Sequence, residues 1–214
     1  MAGRPKIDGD KRIDLLLSWG REFGRSFPWR SERGFRLAVA EVLLQKTRGA
    51  AVEPVWRALL LAYPDARSLA GADRNDVEGI VGALGLGRQR AGRLIAMARS
   101  CSEPAPHAST GLGPYGQGVV RLANGELPEM APVDGNVARV VSRLHGWTFE
   151  RGEPRKKREV HQAVMELLGG VRPRDRMETF YALVDIGATV CFPQRPRCES
   201  CPLSGTCVYR SQQT

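Results

Sequence analysis

Apolar residues recur at intervals of three and four positions along almost the whole chain, which is the spacing of one face of an α-helix. The pattern is found in eight segments: IDLLLSWGREF, FRLAVAEVLLQ, VEPVWRALLLAY, VEGIVGALG, AGRLIAMARS, NVARVVSRLHGW, VHQAVMELLGG and METFYALVDIGATV. No pair of alternating apolar and polar runs flanks an Asn-Gly type of turn, so no β-hairpin is predicted. The pattern therefore predicts an all-α protein.

Glycine and proline mark the loops between these segments. They cluster at FPWRSERG, AYPDARS, GLGRQR, SEPAPHASTGLGPYG, GELPEMAPVDG and RGEPRKKR. No apolar run approaches the roughly 18 residues of a membrane helix, and the first dozen residues lack the apolar centre of a signal peptide. We therefore expect an intracellular protein, in the cytoplasm or nucleoid, with no membrane partner.

The charge balance is basic, with 32 Lys and Arg residues against 23 Asp and Glu residues and a formal net charge of +9. This balance favours a polyanionic partner, of which nucleic acid is the commonest. Charge alone fits an ordinary basic protein equally well. The choice between these interpretations therefore depends on motifs.

Four of the five cysteines lie within 17 residues near the end of the chain, with the spacing C-x6-C-x2-C-x5-C: Cys191, Cys198, Cys201 and Cys207. In a reducing compartment, clustered thiols are poor disulfide candidates and good metal ligands. Structural zinc sites usually combine two CxxC pairs across a longer insert, whereas one x2 pair with longer arms in a single short loop favours a four-iron cluster. The isolated Cys101 is expected to be packed rather than catalytic.

The cysteine loop and its lead-in, VDIGATVCFPQRPRCESCPLSGTC, resemble the cluster loop of the endonuclease III and MutY superfamily. These proteins are helix-hairpin-helix (HhH-GPD) DNA glycosylases of base-excision repair. The resemblance covers residues 13–209 and continues, in the family's order, through FPWR, AEVLLQKT, LGLGRQRAGRL, GLGPY and VDGNVARVVSRL.

The resemblance implies an architecture of two helical lobes with DNA in the cleft between them. A six-helix lobe over residues 30–133 would carry the helix-hairpin-helix, and residues 1–29 and 134–214 would form an iron-sulfur lobe. The four clustered cysteines would hold a 4Fe-4S cluster that positions DNA and takes no part in redox chemistry on the substrate. We expect a monomer whose partner is double-stranded DNA with a mismatched or damaged base.

The resemblance also assigns catalytic roles to two carboxylates. Asp134 precedes an apolar helical stripe and would by itself be an ordinary N-cap, but it matches the family's catalytic aspartate, which stabilises an oxocarbenium-like sugar or attacks its anomeric carbon. Glu41 lies on the helical face of Leu37, Ala40 and Leu44, where burial favours the protonated acid. Its position matches the acid of the adenine-removing MutY group, so we expect it to protonate the leaving base or orient water. A pairing with a basic neighbour is the alternative.

Tyr115 stands where bifunctional members of the family carry the lysine that forms a Schiff base. Tyrosine has no amine and cannot form that imine. We therefore expect a monofunctional enzyme that cuts the N-glycosidic bond and leaves an abasic site without nicking the strand.

Other residues are matched to contacts with DNA. Gln45 matches the family's intercalating glutamine, which fills the gap left by an extruded base, and Lys46 would help it or reach a phosphate. Arg195 and Arg197 lie on the arm between the first two cysteines of the loop, where they would meet phosphates. Solvent-exposed side chains with no such role are the alternative for Gln45 and the two arginines.

The hairpin is less regular. Gly111 and Gly113 match the GxG turn whose backbone amides approach a phosphate. However, a Ser-Thr pair at residues 109–110 stands where the family has Leu-Pro, and Gly116 and Gly118 are expected to loosen the following helix. These departures put the DNA affinity of this element in question.

Different motifs in the sequence indicate different bases as the substrate. VDGNVARV and GATVC resemble the MutY group, which removes adenine opposite guanine or 8-oxoguanine, whereas LGLGRQRAGRL is more similar to thymine or uracil mismatch glycosylases. The chain also stops soon after the cysteine loop, without the domain with which MutY proteins read 8-oxoguanine. We predict removal of thymine or uracil opposite guanine, with adenine removal as a close alternative. A catalytically silent DNA-binding relative and a zinc-bearing regulator are further alternatives.

Overall fold

The computed structural model describes residues 9–101, 111–149 and 152–213. Regular structure in these ranges is helical and includes no strand, so the all-α prediction is confirmed. The α-helices are α1 (Gly9–Phe23), α2 (Gly34–Leu43), α3 (Gly49–Ala62), α4 (Ala66–Ala70), α5 (Arg74–Val81), α6 (Gly87–Cys101), α7 (Pro114–Ala123), α8 (Gly135–His145), α9 (Arg158–Gly169), α10 (Arg176–Thr189) and α11 (Val208–Ser211). None of the described helices is both long and apolar enough to cross a membrane.

The chain divides into two compact units, Ser26–Asn124 with α2 to α7, and Met1–Arg25 joined to Gly125–Thr214 with the remaining helices. The sequence prediction set the boundaries slightly later, at 29/30 and 133/134. Arg25 is bound to the buried carboxylate of Asp185, through its backbone N–H at 2.8 Å and its Nε at 2.7 Å. The carbonyl of Gly125 accepts a hydrogen bond from Arg176 at 2.6 Å. Arg25 and Gly125, which lie at the two boundaries, are therefore both hydrogen-bonded to α10. This explains why the boundaries lie earlier in the chain than the sequence predicted.

In the unit Ser26–Asn124, α2 is the central helix. Every residue from Leu37 to Leu43 is buried, as expected for a helix that is apolar on nearly all sides. Helices α3, α6 and α7 pack against it. Trp29 is 2% exposed and packs against Trp56 with ring centroids 6.1 Å apart, so it belongs to the core of this unit.

In the other unit, α10 packs against both α1 and α8. A Cβ atom added to Gly187 of α10 would lie 2.5 Å from the Cβ of Asn136, so only glycine allows the start of α8 to approach this closely. At Gly20 of α1, an added Cβ would lie 3.1 Å from the Cβ of Ala182. Small residues on both sides of α10 thus fix the position of the helix that follows Asp134.

Candidate functional site

Asp134 is the N-cap residue of α8. Its Oδ1 accepts the backbone N–H of Val137 at 2.7 Å, and its Oδ2 accepts the side-chain amide of Asn136 at 3.1 Å. Its backbone is extended, and the side chain is half-buried. Both oxygens of the carboxylate are therefore oriented at the positive end of the helix dipole.

A chain of hydrogen bonds connects this carboxylate to the cysteine loop. Asn136, which donates to Asp134, accepts a bond from Nη2 of Arg139 at 2.9 Å. Arg139 also donates from Nε to the carbonyl of Cys191 at 2.6 Å and from Nη2 to the carbonyl of Gly187 at 2.5 Å. The orientation of Asp134 is thus coupled to the backbone of the first cysteine of the loop.

The four clustered cysteines line one small pocket, with a cavity volume of about 20 Å³, and none is in a disulfide: Cys191, Cys198, Cys201 and Cys207. Within the described ranges, no three His, Cys, Asp or Glu side chains are close enough together to hold a metal ion. The donor set itself, four thiols from one short loop, fits a 4Fe-4S cluster, whose usual ligands are four cysteine thiolates.

Burial changes the acidity of two of these thiols. It raises the pKa of Cys201 to about 11, and it also raises the pKa of Cys207. Both thiols therefore bind a proton at neutral pH, and a metal must displace it, because the thiolate is the ligand. A positively charged inorganic core would supply the attraction that this deprotonation requires.

Two arginines bring positive charge to the pocket. Arg143 donates to the sulfur of Cys191 at 3.2 Å, and its guanidinium lies 4.6 Å from the ring centroid of Tyr209. Burial lowers the pKa of the Arg12 guanidinium, and the neighbouring Cys207 offsets part of this shift. The Nε atom of Arg12 is buried and, among the described residues, has no hydrogen-bond partner. Positive charge and a spare donor fit a cluster whose four thiolates carry excess negative charge.

The arm between the first two cysteines of the loop presents two predicted DNA contacts to solvent. Arg195 and Arg197 are both exposed, and the guanidinium of Arg197 lies 5.3 Å from the ring centroid of Phe192. The backbone N–H of Arg197 donates to the carbonyl of Val190 at 2.9 Å. The arm is thus folded back on the end of α10 while its charges stay accessible.

Glu41 is 7% exposed, in the last turn of α2, as its apolar neighbours predicted. A Cβ atom added to Gly116 would lie 2.9 Å from Cδ2 of Leu112 and 3.5 Å from the Cβ of Glu41. Gly116 therefore lets α7 approach the segment of α2 that carries Glu41. Tyr115, in the first turn of α7, is half-buried in the same unit.

The hairpin turn requires glycine at one of its two predicted positions. Gly111 has φ +136, and a Cβ there would lie 2.5 Å from the carbonyl oxygen of Arg93. Gly113 is the N-cap of α7, and the space around its Cα is open. The carbonyl of Leu112 accepts the side-chain amide of Gln117 at 3.0 Å. The turn itself is therefore well defined, while the Ser-Thr pair at residues 109–110 lies outside the described residues.

The expected loosening of the helix after the turn is not seen. Helix α7 continues without a break through Gly116 and Gly118, and both are buried. The reason is packing, since the missing side chains allow close contact that offsets the low helix propensity of glycine.

Gln45 and Lys46 lie in the turn after α2. Gln45 is half-buried, and its Oε1 accepts a hydrogen bond from Nη1 of Arg93 at 2.5 Å. Lys46 is exposed and has φ +58, a left-handed conformation that is uncommon for a residue with a β-carbon. Both side chains thus belong to a tightly constrained turn.

The sequence analysis missed three polar residues that organise the site, and it predicted the wrong environment for one thiol. Asn136 and Arg139 orient Asp134, and Arg90 bonds to the turn that carries Gln45. Their partners are mostly backbone carbonyls of distant segments, which leave no local pattern in the sequence. Cys101 is exposed at the end of α6, so the prediction that it is packed is wrong.

Comparison with known proteins identifies a family of DNA repair proteins and similar DNA glycosylases. Residues 39–169 match the family model described as HhH-GPD superfamily base excision DNA repair protein. The chain is 28% identical over 209 residues to a thymine-DNA glycosylase of Aeropyrum pernix, covering 91% of this chain and 92% of that protein. It is 30% identical over 216 residues to the human adenine DNA glycosylase, covering 92% of this chain but 39% of that protein.

A solved structure of a thermostable thymine-DNA glycosylase is similar over the whole fold. Its TM-score is 0.79 at 25% sequence identity, and the match covers 95% of this chain and 98% of that one. The two-unit helical architecture is thus shared along nearly the full length of both chains.

Proposed function

The chain belongs to the HhH-GPD superfamily of base excision DNA repair proteins, and we propose that within it the chain is a monofunctional glycosylase that removes thymine or uracil mispaired with guanine. The observation that carries this substrate class is the similarity to thymine and thymine/uracil glycosylases. The chain is 28% identical to the thymine-DNA glycosylase of Aeropyrum pernix, and the solved thymine-DNA glycosylase matches its fold with a TM-score of 0.79. The proposed partner is double-stranded DNA, from which the mispaired base is extruded.

Adenine opposite guanine or 8-oxoguanine is the second candidate substrate. Identity to the human adenine DNA glycosylase, at 30%, is as high as the 28% to the thymine-DNA glycosylase. The buried Glu41 also supports this candidate, because adenine is a leaving group that benefits from protonation.

Asp134 is proposed to act on the sugar. Its carboxylate is held by Val137 and Asn136 at the start of α8, so it needs no reorganisation as positive charge develops on the anomeric carbon. Preorganised charge of this kind lowers the barrier to C–N bond cleavage. Water completes the hydrolysis and leaves an abasic site.

Glu41 and Tyr115 are proposed to define the rest of the chemistry. Glu41 is buried, which suits a carboxylic acid that donates its proton to the departing base or orients the attacking water. Tyr115 has a phenol where a strand-nicking enzyme needs an amine, so the reaction ends at the abasic site.

The four cysteines of the loop are proposed to hold a 4Fe-4S cluster, which supplies a structural crosslink for residues 191–207. Arg143 would stabilise the charge of its ligands, and Arg195 and Arg197 would contact phosphates from the arm that the cluster folds. Arg139 then joins this loop to Asp134, so DNA positioning and base removal depend on one another.

The substrate proposal predicts a specific result with end-labelled duplexes that contain T:G, U:G, A:G or A:8-oxoguanine. We expect strand cleavage of the T:G and U:G duplexes only after hot alkali, because a monofunctional enzyme leaves the abasic strand intact. Borohydride should trap no covalent adduct with the wild-type protein. Tyr115→Lys, which introduces an amine, provides the comparison for trapping.

Cleavage before alkali, or efficient trapping of the wild-type protein, would contradict the monofunctional mechanism. Cleavage of the adenine duplexes alone would replace the first substrate candidate by the second.

Replacement of Glu41 by Gln is expected to slow the excision of adenine far more than the excision of thymine. General acid–base catalysis contributes about 10²- to 10⁴-fold, so adenine excision should fall by that amount, whereas thymine, which needs less protonation, should lose about tenfold or less. Single-turnover rates on A:G and T:G duplexes measure this. Glu53→Gln, at a half-buried glutamate of α3 that pairs with Arg57, is the matched control. Equal losses on both duplexes would remove the proposed role of Glu41.

A further inference from the structure

Arg90 is a buried cation whose described partners carry no charge. It lies in α6 and is 5% exposed. Its guanidinium donates to the carbonyls of Val42 at 2.9 Å and Leu43 at 2.8 Å, and to the hydroxyl of Thr47 at 3.1 Å. Longer contacts of 3.4 Å reach two further carbonyls, of Gln45 and Gly85. Burial of a charge is costly unless its donors are satisfied, so this set of acceptors indicates a specific task.

The acceptors lie on both sides of a strained residue. Helix α2 ends at Leu43, and the carbonyls of its last turn have no partner within the helix. Lys46 follows with φ +58, and the acceptors of Arg90 include Gln45 immediately before it and Thr47 immediately after it. A residue with a β-carbon keeps such a conformation only where its surroundings impose it. The guanidinium of Arg90 is positioned to impose it.

The same guanidinium also contacts a second strained turn. Leu86 has φ +55 and is 59% exposed, and the residue before it, Gly85, accepts the hydrogen bond from Nε of Arg90. One planar group therefore joins the turn of residues 44–48 to the turn of residues 85–87. Only arginine offers five donors in a fixed plane, so lysine would keep the charge but lose this geometry.

We propose that Arg90 is a positioning residue for base extrusion, which holds the backbone of the turn at residues 44–48 so that Gln45 can enter the base stack. This inference rests on the proposed function, in which Gln45 fills the gap left by the extruded base. Arg90 does not touch DNA. Arg93 holds the side chain of Gln45 while Arg90 holds the backbone beneath it.

The test compares wild-type protein with Arg90→Lys and with Arg99→Lys. Arg99 lies in the same helix, is exposed and donates to a single carbonyl, that of Ala70 at 3.2 Å. Extrusion is followed by the fluorescence of 2-aminopurine placed beside the thymine of a T:G pair, and excision by single-turnover kinetics on the same duplex. Affinity for a duplex with a tetrahydrofuran abasic-site analogue, and the thermal unfolding midpoint, report on the fold.

For Arg90→Lys we expect the extrusion signal to be largely lost. Excision should fall by about 10²-fold, the effect of a small misplacement of a positioning group. The affinity for the abasic-site duplex, which needs no base extruded, should stay close to that of the wild type, and the unfolding midpoint should fall only modestly, because lysine keeps the charge but leaves some buried carbonyls without a donor. Arg99→Lys should match the wild type in every measurement.

An unchanged extrusion signal in Arg90→Lys would overturn the proposal. So would a loss of abasic-site affinity and thermal stability as large as the loss of extrusion, because that result indicates a merely structural role. Extrusion by the wild type without excision of any tested base would contradict the glycosylase proposal alone. Absence of extrusion by the wild type would overturn both.

Discussion

Replacement of Asp134 by Asn is expected to lower the single-turnover rate of base excision by about 10³-fold, the range seen when one preorganised electrostatic group is removed. The substitution keeps the shape of the side chain and an oxygen that can accept the N–H of Val137, but it removes the negative charge. The cap of α8 should therefore survive, and affinity for the mismatched duplex should be retained.

Asp73→Asn is the matched control for this prediction. Asp73 caps α5 in the same manner, since its side chain accepts the backbone N–H groups of Asn75 and Asp76. Both substitutions should cost less than about 1 kcal/mol of unfolding free energy, because Asn caps nearly as well as Asp. Only Asp134→Asn should stop excision. If both variants or neither slow the reaction, Asp134 is not the group that acts on the sugar.

Replacement of Cys198 by Ser should remove the proposed iron-sulfur cluster and with it the binding of mismatched DNA. Residues 191–207 form two short 3-10 turns and bury few apolar side chains, of which Leu203, at 2% exposed, is the clearest. Such a segment has little core of its own, and the proposed metal ligands would supply its order. Loss of the cluster also frees the carbonyl of Cys191 that anchors Arg139, and Asp134 loses its orientation.

The measurements for this variant are iron content, absorbance near about 400 nm and duplex affinity. Cys101→Ser is the control, since Cys101 is exposed at the end of α6 and lies outside the cysteine pocket. We expect it to keep the iron, the absorbance and the affinity. Stoichiometric zinc in place of iron in the wild-type protein would contradict the cluster assignment and restore the zinc alternative.

Much of the fold and part of the site were predictable from the sequence because their signals are local. The period of 3.6 residues identified each long helix, and the glycine and proline clusters separated them. Asp134 was recognisable as a cap followed by an apolar stripe, and α8 does begin at the next residue. The spacing of the cysteines likewise placed four thiols in one short loop.

The remaining features depend on contacts between distant segments. The loosening expected from Gly116 did not occur, because the glycine allows α7 to pack against Leu112 and α2. Cys101 was expected to be packed, but it is exposed at the end of α6, where its sulfur contacts the Sδ of Met97 at 3.6 Å. Periodicity shows which face of a helix is apolar, but it does not show what a given position on that face will meet.

The sequence by itself therefore determined the helices and the family, and it supplied the candidates for the reactive groups, since each depends on residues close together in the chain. Only the tertiary structure decided how those groups are held. Arg90 bonds to carbonyls 47 and 48 positions away, and Arg139 bonds to a carbonyl 52 positions away. Every residue carries such a carbonyl, so the choice of acceptor leaves no mark on the sequence and arises only when the backbone has folded.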